Sequence, residues 1–345
     1  MGCIGYIVEE LTKLKKRKTL KEFKIDRDAV IRVMPIEKHK KIAIVMSSRK
    51  IVFLDYSSEK MKVKYEAQLG PVKVLWHKFT ESNDTLELKY LSVKEYILYK
   101  FKVTSDKISD ISKDVVGKVP ECKDSSLEVI ETLENGNSIV FRPNEFQTSE
   151  DKYLSYVDKD FKVIGEVEVD RNLALAYSWS NDKYVALTEY ITKEWMGQEK
   201  TISEAIHLYK LDKFSKVGVM KIEKVNGKFL EVKKVHIFPA NDQTLIVSLY
   251  GILYLVDIQT MKVKKTINVG EEKTIRQVVK DKKDDNIFYA MSEFGNMYKF
   301  TLDGSVILKN TGPCVISFDL INDQKEIVSD YFLGGVVIQS VEETE

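Results

Sequence analysis

A unit of four short strands, repeated imperfectly along the chain, constrains this sequence more than any other feature. Its clearest copy is residues 229–270, FLEVKKVHIFPANDQTLIVSLYGILYLVDIQTMKVKKTINVG. Residues 232–238 alternate and stop at Pro239-Ala240-Asn241-Asp242, a turn composition. Residues 244–249 are β-branched and continuously apolar, which predicts a strand buried on both faces. Tyr250-Gly251 predicts a tight turn, where glycine reaches backbone angles that other residues avoid. A third strand over 253–258, a turn at Gln259-Thr260 and a charged outer strand over 263–269 complete the unit. One such unit cannot bury both of its faces alone, so it has to stack on others like itself.

Six further units can be traced. Strands are predicted over 29–36, 41–47, 50–56 and 61–69, then over 72–79, 85–92, 95–103 and 108–116. A third unit spans 127–132, 138–142, 152–159 and 161–169, and a fourth spans 173–178, 184–189, 205–211 and 216–223. After the 229–270 copy come 275–280, 287–292, 297–302 and 306–309, and last 315–320, 326–331 and 336–341. The third-strand anchors Phe53, Tyr99, Tyr156, Leu208, Tyr254, Tyr298 and Val337 recur at roughly 40–57 residues, the spacing of propeller blades. The last unit lacks a fourth strand, while an alternating stretch, 20–25 (LKEFKI), stands unassigned before the first. The spare strand completes the short unit and closes the ring without an open sheet edge.

This pattern resembles the seven-bladed WD40-like β-propeller superfamily over about residues 20–341. The apolar–Asp pairs Leu54-Asp55, Val157-Asp158, Val256-Asp257 and Leu302-Asp303 stand where that family's Trp-Asp ends a third strand. No blade start carries the family's Gly-His pair, so its Asp–His–Ser/Thr–Trp tetrad is not carried over. Rings of six or eight blades are the alternative counts. The expected fold class is all-β, a seven-bladed propeller over 20–345 closed by the strand at 20–25.

Residues 1–19 predict an amphipathic helix outside the ring. Ile4, Ile7, Leu11 and Leu14 fall at three- and four-residue spacing and form one apolar stripe. That stripe packs on the body of the fold or serves as a helix interface for a partner. Lys13, Lys15, Lys16, Arg17 and Lys18 form a basic patch after Glu9 and Glu10. Met1-Gly2-Cys3 resembles the start of dually acylated proteins, but Tyr6 stands where that motif has Ser or Thr. Membrane-surface association therefore ranks below the other readings.

Composition narrows the function. Lys+Arg of 54 against Asp+Glu of 53 leaves no basic excess, so nucleic-acid binding is not indicated by net charge and needs a local patch. The lysine-rich stretches 38–41 and 280–283 are the candidates. Three scattered cysteines argue for a reducing compartment and a cytoplasmic location. No apolar run approaches the roughly 20 residues of a transmembrane helix. The four histidines, His39, His77, His207 and His236, lie in different units without metal-ligand spacing. They read as satisfied structural residues. No HExxH, GxSxG, CxxC, P-loop or GxGxxG pattern occurs. No catalytic residue, cofactor or metal is expected.

The remaining feature is an insertion between the second and third strands of the fourth unit, 191–204 (ITKEWMGQEKTISE). Trp195 and Met196 sit at its middle among polar residues that include Lys193 and Glu194. Tryptophan normally buries its side chain, so Trp195 either folds back onto its own unit or, as a residue type enriched at interface hot spots, anchors a partner. The expected function is a non-enzymatic scaffold that binds protein partners, with this insertion as the partner-binding site. The alternatives are a small-ligand-binding or enzymatic propeller using its central channel, and an RNA- or ribonucleoprotein-associated propeller.

Overall fold

The structure is a computed structural model. It describes residues 15–16, 18–25, 28–69, 72–92, 95–118, 128–132, 137–143, 152–158, 162–169, 173–180, 183–195, 198–212, 215–222, 235–249, 251–269, 274–292, 294–311, 317–323, 325–330 and 335–341. Two strands precede the first unit: β1 (Lys15–Lys16) and β2 (Thr19–Lys24). Sheet I holds β3 (Val30–Ile36), β4 (Lys41–Met46), β5 (Lys50–Asp55) and β6 (Lys62–Gln68), with a 3₁₀ turn Glu37–His39 after its first strand. Sheet II holds β7 (Val72–Thr80), β8 (Thr85–Ser92), β9 (Glu95–Val103) and β10 (Ile108–Lys118). Sheet III holds β11 (Glu128–Thr132), β12 (Ser138–Pro143), β13 (Lys152–Val157) and β14 (Val163–Val169).

Sheet IV holds β15 (Leu173–Ser180), β16 (Tyr184–Trp195), β17 (Gln198–Lys210) and β18 (Ser215–Lys221). Sheet V holds β19 (Val235–Asn241), β20 (Thr244–Leu249), β21 (Ile252–Asp257) and β22 (Val263–Asn268). Sheet VI holds β23 (Ile275–Lys280), β24 (Ile287–Ser292), β25 (Met297–Thr301) and β26 (Val306–Thr311). The last three strands are β27 (Phe318–Ile321), β28 (Glu326–Asp330) and β29 (Gly335–Ser340), and β2 pairs antiparallel with β29 to make sheet VII four-stranded.

The burial of the strands follows their composition. Both β4 and β20 are buried at every position, as their unbroken apolar runs require. Lys41 is the exception that proves satisfiable. Its ammonium lies 3.0 Å from Asp55 and 3.2 Å from the His39 carbonyl, so the buried charge has two partners. The outer strand β6 alternates between exposed and half-buried, the mark of one wet face. Apolar clusters bridge sheets I and II, III and IV, IV and V, V and VI, VI and VII, and VII and I. Sheets II and III touch through β7 and β11. The contacts therefore run cyclically. From sheet II onward they pass through the first strands of successive sheets, and β27 then meets β3.

The fourth strand of every sheet carries a one-residue bulge at the same place. The extra residues are Lys64, Ile111, Ile164, Val217, Lys264, Ile307 and, in β2, Leu20. A bulge bends an edge strand and raises its twist, which keeps an exposed edge from templating another chain. Sharing this bulge marks β2 as the fourth strand of sheet VII, although it comes from the far end of the chain. Its Phe23 and the following Ile25 pack on the cluster that joins sheets VII and I.

Two expectations need correction. The predicted helix over 1–19 is not helical where it is described: Lys15 and Lys16 bridge Asn310 and Thr311 in parallel, and Thr19 opens β2. The edge of sheet VI offers Lys15 and Lys16 backbone partners that a helix cannot use. Ile4, Ile7, Leu11, Leu14 and the acylation signal at Gly2 and Cys3 lie outside the described residues. The second correction concerns the insertion in unit four, which is strand rather than loop on both sides of its turn.

Candidate interaction surface

Strands β16 and β17 are the longest in the molecule at 12 and 13 residues, and they outrun their neighbours. Pairing of β15 with β16 stops at Glu189, and pairing of β18 with β17 stops at Ala205. Beyond that point six further pairs, from Tyr190↔Ser203 to Trp195↔Gln198, continue as a two-stranded arm. Trp195 pairs with Gln198 at its tip, and Met196 and Gly197 lie outside the described residues. The base of the arm belongs to the fold, since Ile202 and Ser203 are both buried.

The register brings out a symmetry that strand-by-strand reading of the sequence overlooks. Residues 191–194 are Ile-Thr-Lys-Glu and residues 199–202 are Glu-Lys-Thr-Ile, so the stretch is a palindrome about Trp195–Gln198. In the antiparallel pairing Ile191 faces Ile202, Thr192 faces Thr201, Lys193 faces Lys200 and Glu194 faces Glu199. Opposed residues share a face of a sheet and neighbours alternate. Lys193, Lys200, Trp195 and Gln198 thus occupy positions on one face, and Glu194 and Glu199 on the other. Three of these residues, Lys193, Glu194 and Trp195, were expected from sequence to form one site; the register separates Glu194 from the other two. The palindrome was the signal for a hairpin, masked by its run of charged residues.

The other second-to-third-strand connections are short. They span 47–49, 93–94, 250–251, 293–296 and 331–334, leaving aside 144–151 in sheet III, which is outside the described residues. In the basic patch, Lys15 and Lys16 are strand residues on the edge of sheet VI, and the Lys18 carbonyl accepts the Ser340 N–H at 3.0 Å. Lys13 and Arg17 lie outside the described residues.

The lysine-rich stretches are neutralised in place. Lys38 meets Asp84 at 2.7 Å, Lys40 donates to Asn322 at 2.8 Å and sits over the Tyr56 ring, and Lys41 is buried against Asp55. Lys280, Lys282 and Lys283 pair with Asp285, Glu37 and Asp323. Each lysine there is spent on a protein acceptor, several across a sheet boundary. His39 joins the same network at 2.7 Å from Asp84.

The aspartates at the ends of third strands are turn caps. Asp55 accepts the Ser57 N–H at 2.8 Å, Asp158 the Lys162 N–H at 2.8 Å, Asp257 the Thr260 N–H at 2.9 Å and Asp303 the Ser305 N–H at 2.9 Å. A short carboxylate that bonds the backbone a few residues on fixes the turn to the outer strand. Burial alone would raise the Asp55 carboxyl; the Ser57 hydrogen bonds and the Lys41 ion pair hold it at about 2 instead.

On the first strands, histidine and arginine lie close enough to interact. Burial, with a lesser push from Arg32, brings the His77 imidazole down to about 4. Burial and then Arg276 do the same to His236. The His77 Nδ1 is buried without a hydrogen-bond partner, so this histidine is not the fully satisfied residue expected from sequence. His207 Nε2–H donates to the Glu189 carboxylate at 2.9 Å. Among the described residues, no group of three or more His, Cys, Asp or Glu side chains is arranged to hold a metal ion, and no helix is long and apolar enough to cross a membrane.

No family model matches the sequence, and no curated protein matches it. Solved structures do match the fold. The crystal structure of Saccharomyces cerevisiae Sqt1 aligns with a TM-score of 0.55 at 10% identity, over 95% of this chain and 100% of that one. The C-terminal WD40 domain of Sif2 aligns at 0.53 and 8% identity, over 96% and 99%. Chaetomium thermophilum Raptor aligns at 0.62 and 10% identity over 98% of this chain, which spans 30% of Raptor's length.

The fold is a WD40-like β-propeller. At such identities these similarities concern the fold alone, and the WD40-like propeller keeps its seven sheets without the Gly-His and Trp-Asp pairs. Its turn aspartates bond the turn backbone, and the residues before them, Leu54, Val157, Val256 and Leu302, are aliphatic. The arm of sheet IV is an addition to that frame.

Proposed function

We propose that this WD40-like protein is a seven-bladed, closed, non-enzymatic propeller that serves as an interaction platform for protein partners, with the β16–β17 arm as its principal contact. The observation that carries this reading is the arm itself. Among the described residues, the four pairs beyond Ile191↔Ile202 have no neighbouring strand on either side, so closure of the ring does not draw on them. Elements that a scaffold does not need for closure, carried on a rigid base, are where binding residues concentrate. The aromatic Trp195 at the tip is the residue type that most often anchors an interface.

Replacing residues 192–201 by an Asn-Gly turn tests this. The shortened protein should keep its melting temperature and lose a stoichiometric partner recovered with the intact protein from the native organism. Partner recovery by the shortened protein would refute the arm as the contact. The RNA-associated reading is disfavoured by the pairing of each lysine in the stretches 38–41 and 280–283. Lys38, Lys41, Lys280, Lys282 and Lys283 are already held by the protein's own carboxylates, and cations so held release few counterions on meeting a polyanion.

A further inference from the structure

The palindrome in the arm has an electrostatic consequence. A ribbon selected only to stand upright would place lysine opposite glutamate, because opposite charges across a strand pair stabilise it and like charges destabilise it. Exchanging two adjacent residues, Glu199 and Lys200, would produce that arrangement with no change in composition. The arm instead sets Lys193 against Lys200 and Glu194 against Glu199, at pairs that no other strand among the described residues flanks. Both mismatches disappear if a partner supplies the missing charge. The two faces differ at the tip. The lysine pair shares its face with Trp195 and Gln198 there and with Ile191 and the buried Ile202 at the base, whereas the glutamate pair is flanked by Thr192 and Thr201, with Tyr190 and the buried Ser203 at the base.

We infer that the juxtaposition of Lys193, Lys200 and Trp195 on one face of the arm forms a docking site for an acidic protein segment that carries an apolar side chain beside its carboxylates. This deepens the proposed function and rests on it. A carboxylate at the lysine pair answers two cations that otherwise repel each other, and charge-assisted hydrogen bonds to ammonium groups are about twice as strong as neutral ones. The apolar neighbour finds the indole, whose burial supplies the contact area that surface charge pairs lack. The opposed glutamates then discriminate, since they repel the same segment from the other face.

The test uses the full-length protein and three labelled probes: a Glu/Asp-rich peptide with a central Phe, the same peptide with lysine at every acidic position, and a single-stranded RNA of similar charge. Binding is read by anisotropy at low and high salt. The wild-type protein should bind the acidic peptide, more weakly as salt rises, and show little affinity for the lysine peptide. The double substitution Glu199→Lys, Lys200→Glu should weaken the acidic peptide by about tenfold or more while leaving the melting temperature equal or higher. Trp195→Ala should weaken it independently of salt.

Undiminished binding of the acidic peptide by the exchanged arm would overturn the inference, as would absence of that binding in the wild type. Preference of the wild type for the lysine peptide or for RNA would overturn it too. The proposed function is judged separately, by whether the arm-shortened protein still recovers its native partner. Loss of that partner on shortening, together with its retention on charge exchange, would leave the arm as the contact and remove the acidic segment.

Discussion

Glu37 and Lys282 are 245 residues apart in sequence, yet the lysine Nζ lies 2.6 Å from the glutamate Oε1. The second carboxylate oxygen of Glu37 accepts the Asn322 N–H at 2.8 Å, and Lys282 also donates to the Leu320 carbonyl at 3.1 Å. One side chain after the first strand of sheet I thus holds turns of sheets VI and VII.

Removing it should loosen that junction. Glu37→Ala is expected to cost about 1–2 kcal/mol, mostly from the lost acceptor for Asn322 rather than from the half-exposed ion pair. Glu37→Gln should cost less, since it keeps an acceptor oxygen. Urea unfolding of the two variants checks the order; equal and negligible losses would show that the turns hold together without this contact.

A second prediction concerns β2. Deleting residues 1–26 removes a whole strand of sheet VII along with Phe23 and Ile25, and should cost about 3 kcal/mol or more and promote aggregation through the exposed β29 edge. Deleting residues 1–17 should be far milder, because among the described residues it removes only the two bridges to Asn310 and Thr311. Equal melting temperatures for the full-length and 27–345 proteins would sink the closure.

Trp195→Ala combined with Met196→Ala separates interface from core. If the tip serves a partner, melting should stay within about 0.5 kcal/mol of wild type while partner recovery falls. A large fall in stability would place Trp195 in its own sheet's packing.

Acid should destabilise the protein through His77 and His236. Both are held near 4 when folded, against about 6.5 when unfolded. A depressed histidine favours folding in its neutral form, so this contribution is complete above about pH 6.5 and is lost as pH falls toward 4. The loss should be on the order of 2–3 kcal/mol for each histidine. Unfolding free energy measured from pH 7.5 downward should fall across that window, and the slope should flatten in the double variant His77→Gln, His236→Gln. An unchanged slope would show that neither imidazole controls it.

Much of the frame was legible because local chemistry and global packing agree. The run Thr244–Leu249 is wholly apolar apart from its small hydroxyls and is wholly buried. Asp55, Asp158, Asp257 and Asp303 sit at turns that need a carboxylate to bond the backbone. The spare stretch at 20–25 could be matched to a missing strand by counting. What escaped reading depends on register. Lys15 and Lys16 continue a helical spacing in one dimension, while an open edge of sheet VI claims their backbone. At the candidate site, Ile-Thr-Lys-Glu reads as a polar insertion until it is folded against Glu-Lys-Thr-Ile. Only pairing shows that Lys193 and Glu194 serve different faces. The ion pairs that occupy Lys38 and Lys282 join sheets far apart in sequence, so their neutralisation could not be foreseen from composition.

The pairing of β2 with β29 also sets an order in time. The strand at Thr19–Lys24 is among the first parts of the described chain to leave the ribosome, and its partner at Gly335–Ser340 is among the last. At about 5–20 residues per second, roughly 300 intervening residues take about 15–60 s to make. For that interval β2 is a strand without its sheet. The bulge at Leu20 is set by the pairing with β29, so it too forms only when that partner arrives. Until its far end is made, a nascent propeller of this kind carries unpaired backbone groups that a neighbour on the same message could engage.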